Sequence, residues 1–170
     1  MTFKGVIQVI SHLHKLHDAC ADQAMQNLYL KLCLLECCGW VEMRQDEMLY
    51  RTAILKVAAS DVEKFKNTKL RRNYGFTYDK HLRQLLIELY GLMGVGKIEE
   101  SMERNHPKIF SEVKMALNTT LCEPRNSHAH TSAGLTLGVV QKLIHFSVLN
   151  ETVKQLEEGF NRMEKEILQL

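Results

Sequence analysis

Proline is almost absent from this chain, and its scarcity restricts the possible folds more than any other feature. The 170 residues contain two prolines, Pro107 and Pro124, and long stretches have no glycine either. Clusters of proline and glycine mark the turns between short strands, whereas their absence favours long, uninterrupted helices. The sequence therefore predicts an all-α protein, an up-and-down bundle of four to five main helices in a single domain over residues 1–170.

Apolar side chains recur every three or four residues along most of the chain, which is the spacing of one face of a helix. The pattern predicts helices over roughly residues 3–20, 24–58, 79–93, 97–121 and 137–168. The apolar positions of the second helix are Leu28, Leu32, Leu35, Trp40, Met43, Tyr50, Ile54 and Val57. The last helix has a regular seam of Leu149, Val153, Leu156, Phe160, Met163 and Ile167. Its spacing suits a bundle helix or a coiled-coil-like contact.

Capping and helix-breaking residues set the predicted boundaries. Gly94 and Gly96 are expected to end the third helix, because glycine is common just past a helix C-terminus. Pro107 suits the first turn of a new segment within the fourth helical region. Ser60 could cap a short helix that precedes the third main helix.

Composition limits the cellular setting more than it limits the partner. Charged residues make up 25% of the chain and the net charge is +2, so any surface for nucleic acid must be local. The five cysteines are odd in number and show no framework spacing, which favours free thiols in a reducing cytosol. No signal peptide and no membrane-spanning stretch is recognisable, so we expect a cytoplasmic protein without a membrane partner.

One short motif is the candidate functional site. Residues 125–130 read Arg-Asn-Ser-His-Ala-His, so Arg125 lies five positions before His130. If a turn or a helix start brings them together, the arginine would hold a phosphate and the histidine would transfer protons near neutral pH. Asn126 could orient the arginine or cap a turn. The alternative is a helix N-terminus at which both residues pair with carboxylates, and the spacing alone does not separate the two.

This motif resembles that of the HEPN superfamily (higher eukaryotes and prokaryotes nucleotide-binding domains), in which Arg, a polar residue and His follow at this spacing. Residues 38–42, Cys-Gly-Trp-Val-Glu, resemble the small-residue, aromatic, Glu pattern of stand-alone HEPN proteins of the RiboL-PSP type. The resemblance covers most of the chain in helix order and length and implies a HEPN-like helical domain. The sequence departs from the family at Ser132, where many members have an aromatic residue, and at His128, where an apolar residue is common.

The resemblance implies a metal-independent endoribonuclease that uses no cofactor and acts as a homodimer with a composite active site. Arg125 would bind and polarise the scissile phosphate, His130 would serve as acid and base, and Asn126 would support the arginine. The RNA 2′-hydroxyl would attack the adjacent phosphate and leave a cyclic phosphate end. Such proteins are commonly toxins of toxin–antitoxin pairs or effectors of anti-phage defence, which implies an antitoxin or a defence-system partner.

Glu42 and His128 are candidates for supporting roles in this site. Glu42 could support the active-site arginine in the same or the partner subunit, although a surface or capping carboxylate is an equally open interpretation. His128 could be a second proton carrier or an exposed neighbour of the motif.

A basic run before the third helix is the candidate RNA-binding surface. Its members fall within nine residues without an acid: Lys64, Lys66, Lys69, Arg71 and Arg72. RNA contact and a solvated face are both open interpretations of these residues. The aromatic residues Tyr74, Phe76 and Tyr78 follow, and they could stack on unpaired bases or, as we favour, anchor the next helix in the core.

No metal site is expected, because His12 and His14 point to different sides of a helix and no Cys-x-x-Cys pair exists. Two other functions rival the ribonuclease. One is a non-catalytic HEPN module that binds nucleotide or RNA. The other is a helical protein-interaction domain whose last-helix seam, with Leu156 and Phe160, docks a partner.

Overall fold

The computed structural model describes residues 1–129 and 144–170, and over these ranges the chain is an all-α helical bundle without strands. The predicted fold class is confirmed. The helices are α1 (Phe3–Ala19), α2 (Gln23–Lys56), α3 (Ala59–Thr68), α4 (Arg83–Asn105), α5 (Pro107–Met115), α6 (Cys122–Ala129) and α7 (Phe146–Leu168). None of the described helices is long and apolar enough to cross a membrane.

Side-chain caps explain where several helices begin. The Thr2 hydroxyl accepts a hydrogen bond from the backbone N–H of Gly5 at 3.1 Å and starts α1, and the Asp22 carboxylate starts α2 in the same way. Pro107 occupies the first turn of α5, as predicted. The predicted cap at Ser60 is wrong, because α3 already begins at Ala59 and has no side-chain cap.

The core forms around α7, which contacts α1, α2, α4 and α5. All six residues of its predicted seam are fully buried: Leu149, Val153, Leu156, Phe160, Met163 and Ile167. The seam is therefore the packed face of a bundle helix. Leu156 and Phe160 lie inside the bundle and are not available to dock a partner in this fold.

The face that α2 turns to the core differs from the predicted one. Five of the predicted apolar positions have exposed fractions of 37% to 53%: Leu28, Leu32, Leu35, Met43 and Ile54. The buried face includes Cys33, Leu34, Cys37, Cys38, Trp40, Val41, Arg44, Gln45, Met48 and Leu49. The prediction fails because α2 is apolar on more than one side. In addition, Arg44 donates to Glu157 on α7 and Gln45 donates to the Phe76 carbonyl, and these bonds allow both polar residues to be buried.

A glycine breaks α4, although at a different position from the predicted one. Gly94 and Gly96 do not end the helix, which continues to Asn105. The break is at Gly91, whose φ of 70° and ψ of 168° are accessible to glycine because it has no Cβ. Met93 is exposed just after this break.

Two widened turns and one loop set the position of the candidate site. In the π turns Tyr78–Leu82 and Ala116–Thr120, backbone N–H groups bond five residues back, as from Leu121 to Ala116 at 3.0 Å. Such a turn accommodates one more residue than an α-helical turn. After α3 comes a short 3-10 turn, Leu70–Arg72, and residues 73–77 form the connection that we call the 73–77 loop.

Candidate functional site

The first five residues of the motif lie on α6, which packs against α2. Pro124 is the third residue of α6, in the first turn, where the backbone needs no N–H donor. The N–H of Arg125 already donates to the carbonyl of Leu121 at 3.0 Å. The arginine is therefore fixed within the helix start, and α6 directs it towards α2.

The Arg125 guanidinium is held between a carboxylate and an aromatic ring. Its Nη2 donates to Oε1 of Glu42 on α2 at 2.9 Å, and its Cζ lies 5.3 Å from the ring centroid of Phe76. The side chains of Arg125 and Glu42 are 29% and 35% exposed. Among the described residues, Glu42 is the one hydrogen-bond partner of this guanidinium. Its other N–H donors can therefore reach phosphate oxygens at the surface.

The 73–77 loop carries the Phe76 ring and is tied down by side-chain amides. The buried Gln45 donates from Nε2 to the Phe76 carbonyl at 2.9 Å, and Asn73 donates from Nδ2 to the Gly75 carbonyl at 2.8 Å. Just beyond the loop, the Tyr78 N–H donates to Asn118. These bonds give the loop one defined conformation against the arginine.

His81 belongs to this site, although the sequence analysis missed it. Its Nδ1 lies 2.7 Å from the Thr77 hydroxyl, and its ring packs on Gly75, where a Cβ would overlap the imidazole. Burial lowers the pKa of His81, and the positive charge of Arg125 lowers it further. The imidazole is therefore neutral at pH 7 and can accept a proton. No spacing signal links His81 to Arg125, because only the folded loop brings them together.

The charges of Glu42 and Arg125 also affect the pKa values of two further groups on α2. Burial, followed by the negative charge of Glu42, raises the pKa of Asp46 to about 6. Burial also raises the pKa of Cys38 to about 12, although Arg125 opposes that shift. Cys38 therefore stays a thiol at neutral pH and is a poor nucleophile and a poor metal ligand.

The structure describes the remaining motif residues to different extents. His130 lies outside the described residues, and for His128 the structure describes the backbone of α6 but not the side chain. Asn126 is exposed and donates from Nδ2 to Sγ of Cys122 at 3.4 Å, whereas the Arg125 guanidinium bonds to Glu42. Adjacent residues on a helix point in different directions. The roles of these three residues stay predictions.

The members of the predicted RNA-binding run have different surroundings, and their role in binding RNA stays a prediction. Lys69 pairs with Glu88, their Nζ and Oε1 atoms 2.6 Å apart, and the Lys66 ammonium lies 4.7 Å from the Tyr50 ring centroid. The exposed members are Lys64, Lys69, Arg71 and Arg72, whereas Lys66 is half-buried. Of these, Arg71 and Arg72 immediately precede the 73–77 loop and so lie nearest in the chain to the Arg125 site.

The aromatic residues that follow the basic run differ in burial. Phe76 and Tyr78 are each 1% exposed, so the prediction that they anchor the core is confirmed for both. For Tyr74 the prediction is wrong, because its side chain is 82% exposed.

The N-terminal histidines contact an aspartate and an aromatic ring. His14 and His17 pair with Asp18 at 3.3 Å and 2.9 Å, and the His14 ring stacks on Phe146. Within residues 1–129 and 144–170, no group of three or more His, Cys, Asp or Glu side chains is arranged to hold a metal ion.

A scan against models of protein families finds no match for this chain, and neither the curated proteins nor the solved structures include one that matches. The resemblance to HEPN proteins therefore rests on the motif residues and on residues 38–42.

Proposed function

We propose that this protein is a metal-independent endoribonuclease of the HEPN type, in which Arg125 binds the scissile phosphate and His130 transfers protons. The observation that supports the proposal is the setting of Arg125, a guanidinium held by Glu42 and Phe76 with further donors at the surface. A preorganised guanidinium stabilises the charge that develops on phosphate oxygens during the reaction.

In the proposed reaction, the RNA 2′-oxygen forms a bond to phosphorus and the bond from phosphorus to the 5′-oxygen breaks. A base takes the 2′-hydroxyl proton, and an acid protonates the departing 5′-oxygen. The products are a 2′,3′-cyclic phosphate and a 5′-hydroxyl end. In a homodimer with facing motifs, two copies of His130 would supply one imidazole for each proton transfer.

The biological role is the part of the proposal that rests on the family resemblance alone. It includes action as a toxin or an anti-phage effector, control by an antitoxin or a defence-system partner, and a cytoplasmic location. The Glu42 contact, in turn, supports the expected assistance to Arg125 from within the same chain.

The test is incubation with mixed-sequence RNA in the presence of EDTA, followed by analysis of the product ends. We expect the wild type to leave cyclic phosphate and 5′-hydroxyl ends, and Arg125→Ala and His130→Ala to be at least about a hundredfold slower. Arg104→Ala is the matched control, because Arg104 also pairs with a glutamate but lies on α4 and is 69% exposed. Intact RNA after incubation with folded wild type, or unchanged cleavage in both site variants, contradicts the proposal.

A non-catalytic RNA-binding module is the second candidate, and the same ion pair favours it. An arginine held in place by Glu42 can bind an RNA phosphate whether or not a proton-transferring group lies beside it. Such a module would bind RNA, leave it intact and lose little affinity when His130 is replaced by alanine. Binding measured beside cleavage separates the two candidates.

A further inference from the structure

We propose that Tyr74, which follows Arg71 and Arg72 in the chain, is a stacking subsite for an unpaired nucleobase beside the phosphate bound by Arg125. The inference rests on the proposed function in one respect, namely that the phosphate at Arg125 belongs to RNA. It adds to that function a residue that distinguishes unpaired RNA from duplex RNA.

The first argument is the contrast between neighbouring aromatic residues. The 73–77 loop and the residue after it bury Phe76 and Tyr78 in the core but leave Tyr74 82% exposed. One exposed aromatic residue is common on protein surfaces and carries no meaning alone. Here it belongs to the loop whose Phe76 ring contacts the Arg125 guanidinium.

The second argument is distance. Two residues of chain span at most about 7 Å, so the Tyr74 backbone lies within that distance of Phe76. Phe76 in turn lies 5.3 Å, ring centroid to Cζ, from Arg125. A strand that places one phosphate on Arg125 therefore passes close to the loop that carries Tyr74.

The third argument is rigidity. The hydrogen bond from Asn73 to Gly75 spans Tyr74, and the bond from the buried Gln45 fixes Phe76. The loop therefore loses little conformational freedom when a base stacks on the ring. Preorganisation of this kind increases affinity, because less entropy is lost on binding.

The fourth argument is charge. Arg71 and Arg72 are exposed, and the described residues give neither of them an ion-pair partner, whereas nearby Lys69 is neutralised by Glu88. Two cations next to an exposed ring match the way proteins bind single strands, with charge along the backbone and rings under the bases. A base in an A-form duplex is already stacked and does not present a free face. The ligand class is therefore unpaired RNA.

The experiment measures binding of a fluorescent single-stranded RNA and of a hairpin of the same composition by fluorescence anisotropy. His130→Ala serves as the background so that the RNA stays intact. We expect Tyr74→Ala to weaken single-strand binding about tenfold and Tyr74→Trp to restore it. Binding of the hairpin stem should be unchanged. Met93→Ala is the matched control, because Met93 is 81% exposed on α4 and should have no effect.

An abasic substitution within the RNA gives the sharper test. If Tyr74 stacks on a base, an RNA lacking that base should bind the background chain and its Tyr74→Ala variant equally, because the interaction is already lost. Scanning the abasic position along the strand should identify one such nucleotide. Equal affinity of the background chain and Tyr74→Ala for every intact single strand overturns the inference, as does the same loss for Met93→Ala.

Cleavage assays with His130 intact separate this inference from the proposed function. Cleavage that is normal in Tyr74→Ala, with no change in binding, overturns the stacking subsite and leaves the ribonuclease standing. Tyr74-dependent binding without cleavage by the wild type supports the subsite and overturns the ribonuclease.

Discussion

Arg44 and Arg125 both pair with carboxylates, but their surroundings differ. Arg44 on α2 reaches three side chains of α7: Glu157 at 3.1 Å, Asn161 at 2.8 Å and Glu164 at 3.5 Å. Its side chain is 7% exposed. Arg125 on α6 has one described hydrogen-bond partner, Glu42, and is 29% exposed.

The comparison shows that an ion pair by itself does not separate a structural arginine from a functional one. Arg44 joins α2 to α7 through these three contacts, and its side chain is almost fully buried. Arg125 is held by Glu42, and part of its side chain remains exposed to solvent. The number of partners and the exposed fraction, rather than the presence of a carboxylate, distinguish the two sites.

The largest expected effect is the loss of stability in Arg44→Ala. Removing the buried cation leaves Glu157 without its ion-pair partner and Glu164 with Arg51 alone, and we expect the free energy of unfolding to fall by about 3 kcal/mol or more. Arg125→Ala should lower it by less than about 1 kcal/mol, because its pair is partly exposed. Urea denaturation of both variants provides the measurement. Equal losses for the two would remove the distinction between them.

A smaller effect is expected from Glu42→Gln, which keeps the shape of the side chain but removes its charge. If Glu42 positions Arg125, cleavage should fall by about tenfold or more, because small displacements of a catalytic group slow reactions strongly. The readout is the cleavage rate at saturating RNA, compared with that of Glu47→Gln, an exposed residue on the same helix. Faster cleavage would instead show that Glu42 competes with the substrate for the guanidinium.

The smallest effect concerns Asp46, which adds a second carboxylate near Glu42. Its pKa is raised from 3.8 to about 6 in the folded protein, so the folded state binds the proton more tightly than the unfolded state does. Stability should therefore fall as the pH rises through the interval between these two values. Asp46→Asn should raise the free energy of unfolding by about 1 kcal/mol at pH 7, after allowance for solvent screening, and change it little near pH 4. A loss of stability at pH 7 would mean that the charged carboxylate has a favourable partner.

Much of the fold could be predicted from the chain because local patterns determine helices. The seam of α7 is a single apolar stripe, and every member is buried as predicted. α2 was harder because it is apolar on several sides, and the choice of buried face depends on α1, α6 and α7. The break at Gly91 was also hidden, since three glycines within six residues could each end a helix.

The candidate site could be predicted only in part. Arg125 is recognisable from its motif, and Glu42 from the second patch, because both resemblances are local in the chain. Phe76 and His81 reach the site through the folding of the 73–77 loop, which depends on the hydrogen bond from Gln45 to Phe76 and on the one between Thr77 and His81. No periodicity or spacing encodes contacts of that kind.

The π turn Ala116–Thr120 has a consequence for the direction of Arg125. It places one additional residue between α5 and α6, and each residue of a helix rotates the following side chains by about 100°. Deletion of a single residue there would turn the guanidinium away from Glu42 while the motif itself stayed intact. The direction of the Arg125 side chain thus depends on the number of residues in the turn upstream of the motif. Two chains with identical motifs can therefore differ in whether this arginine faces α2.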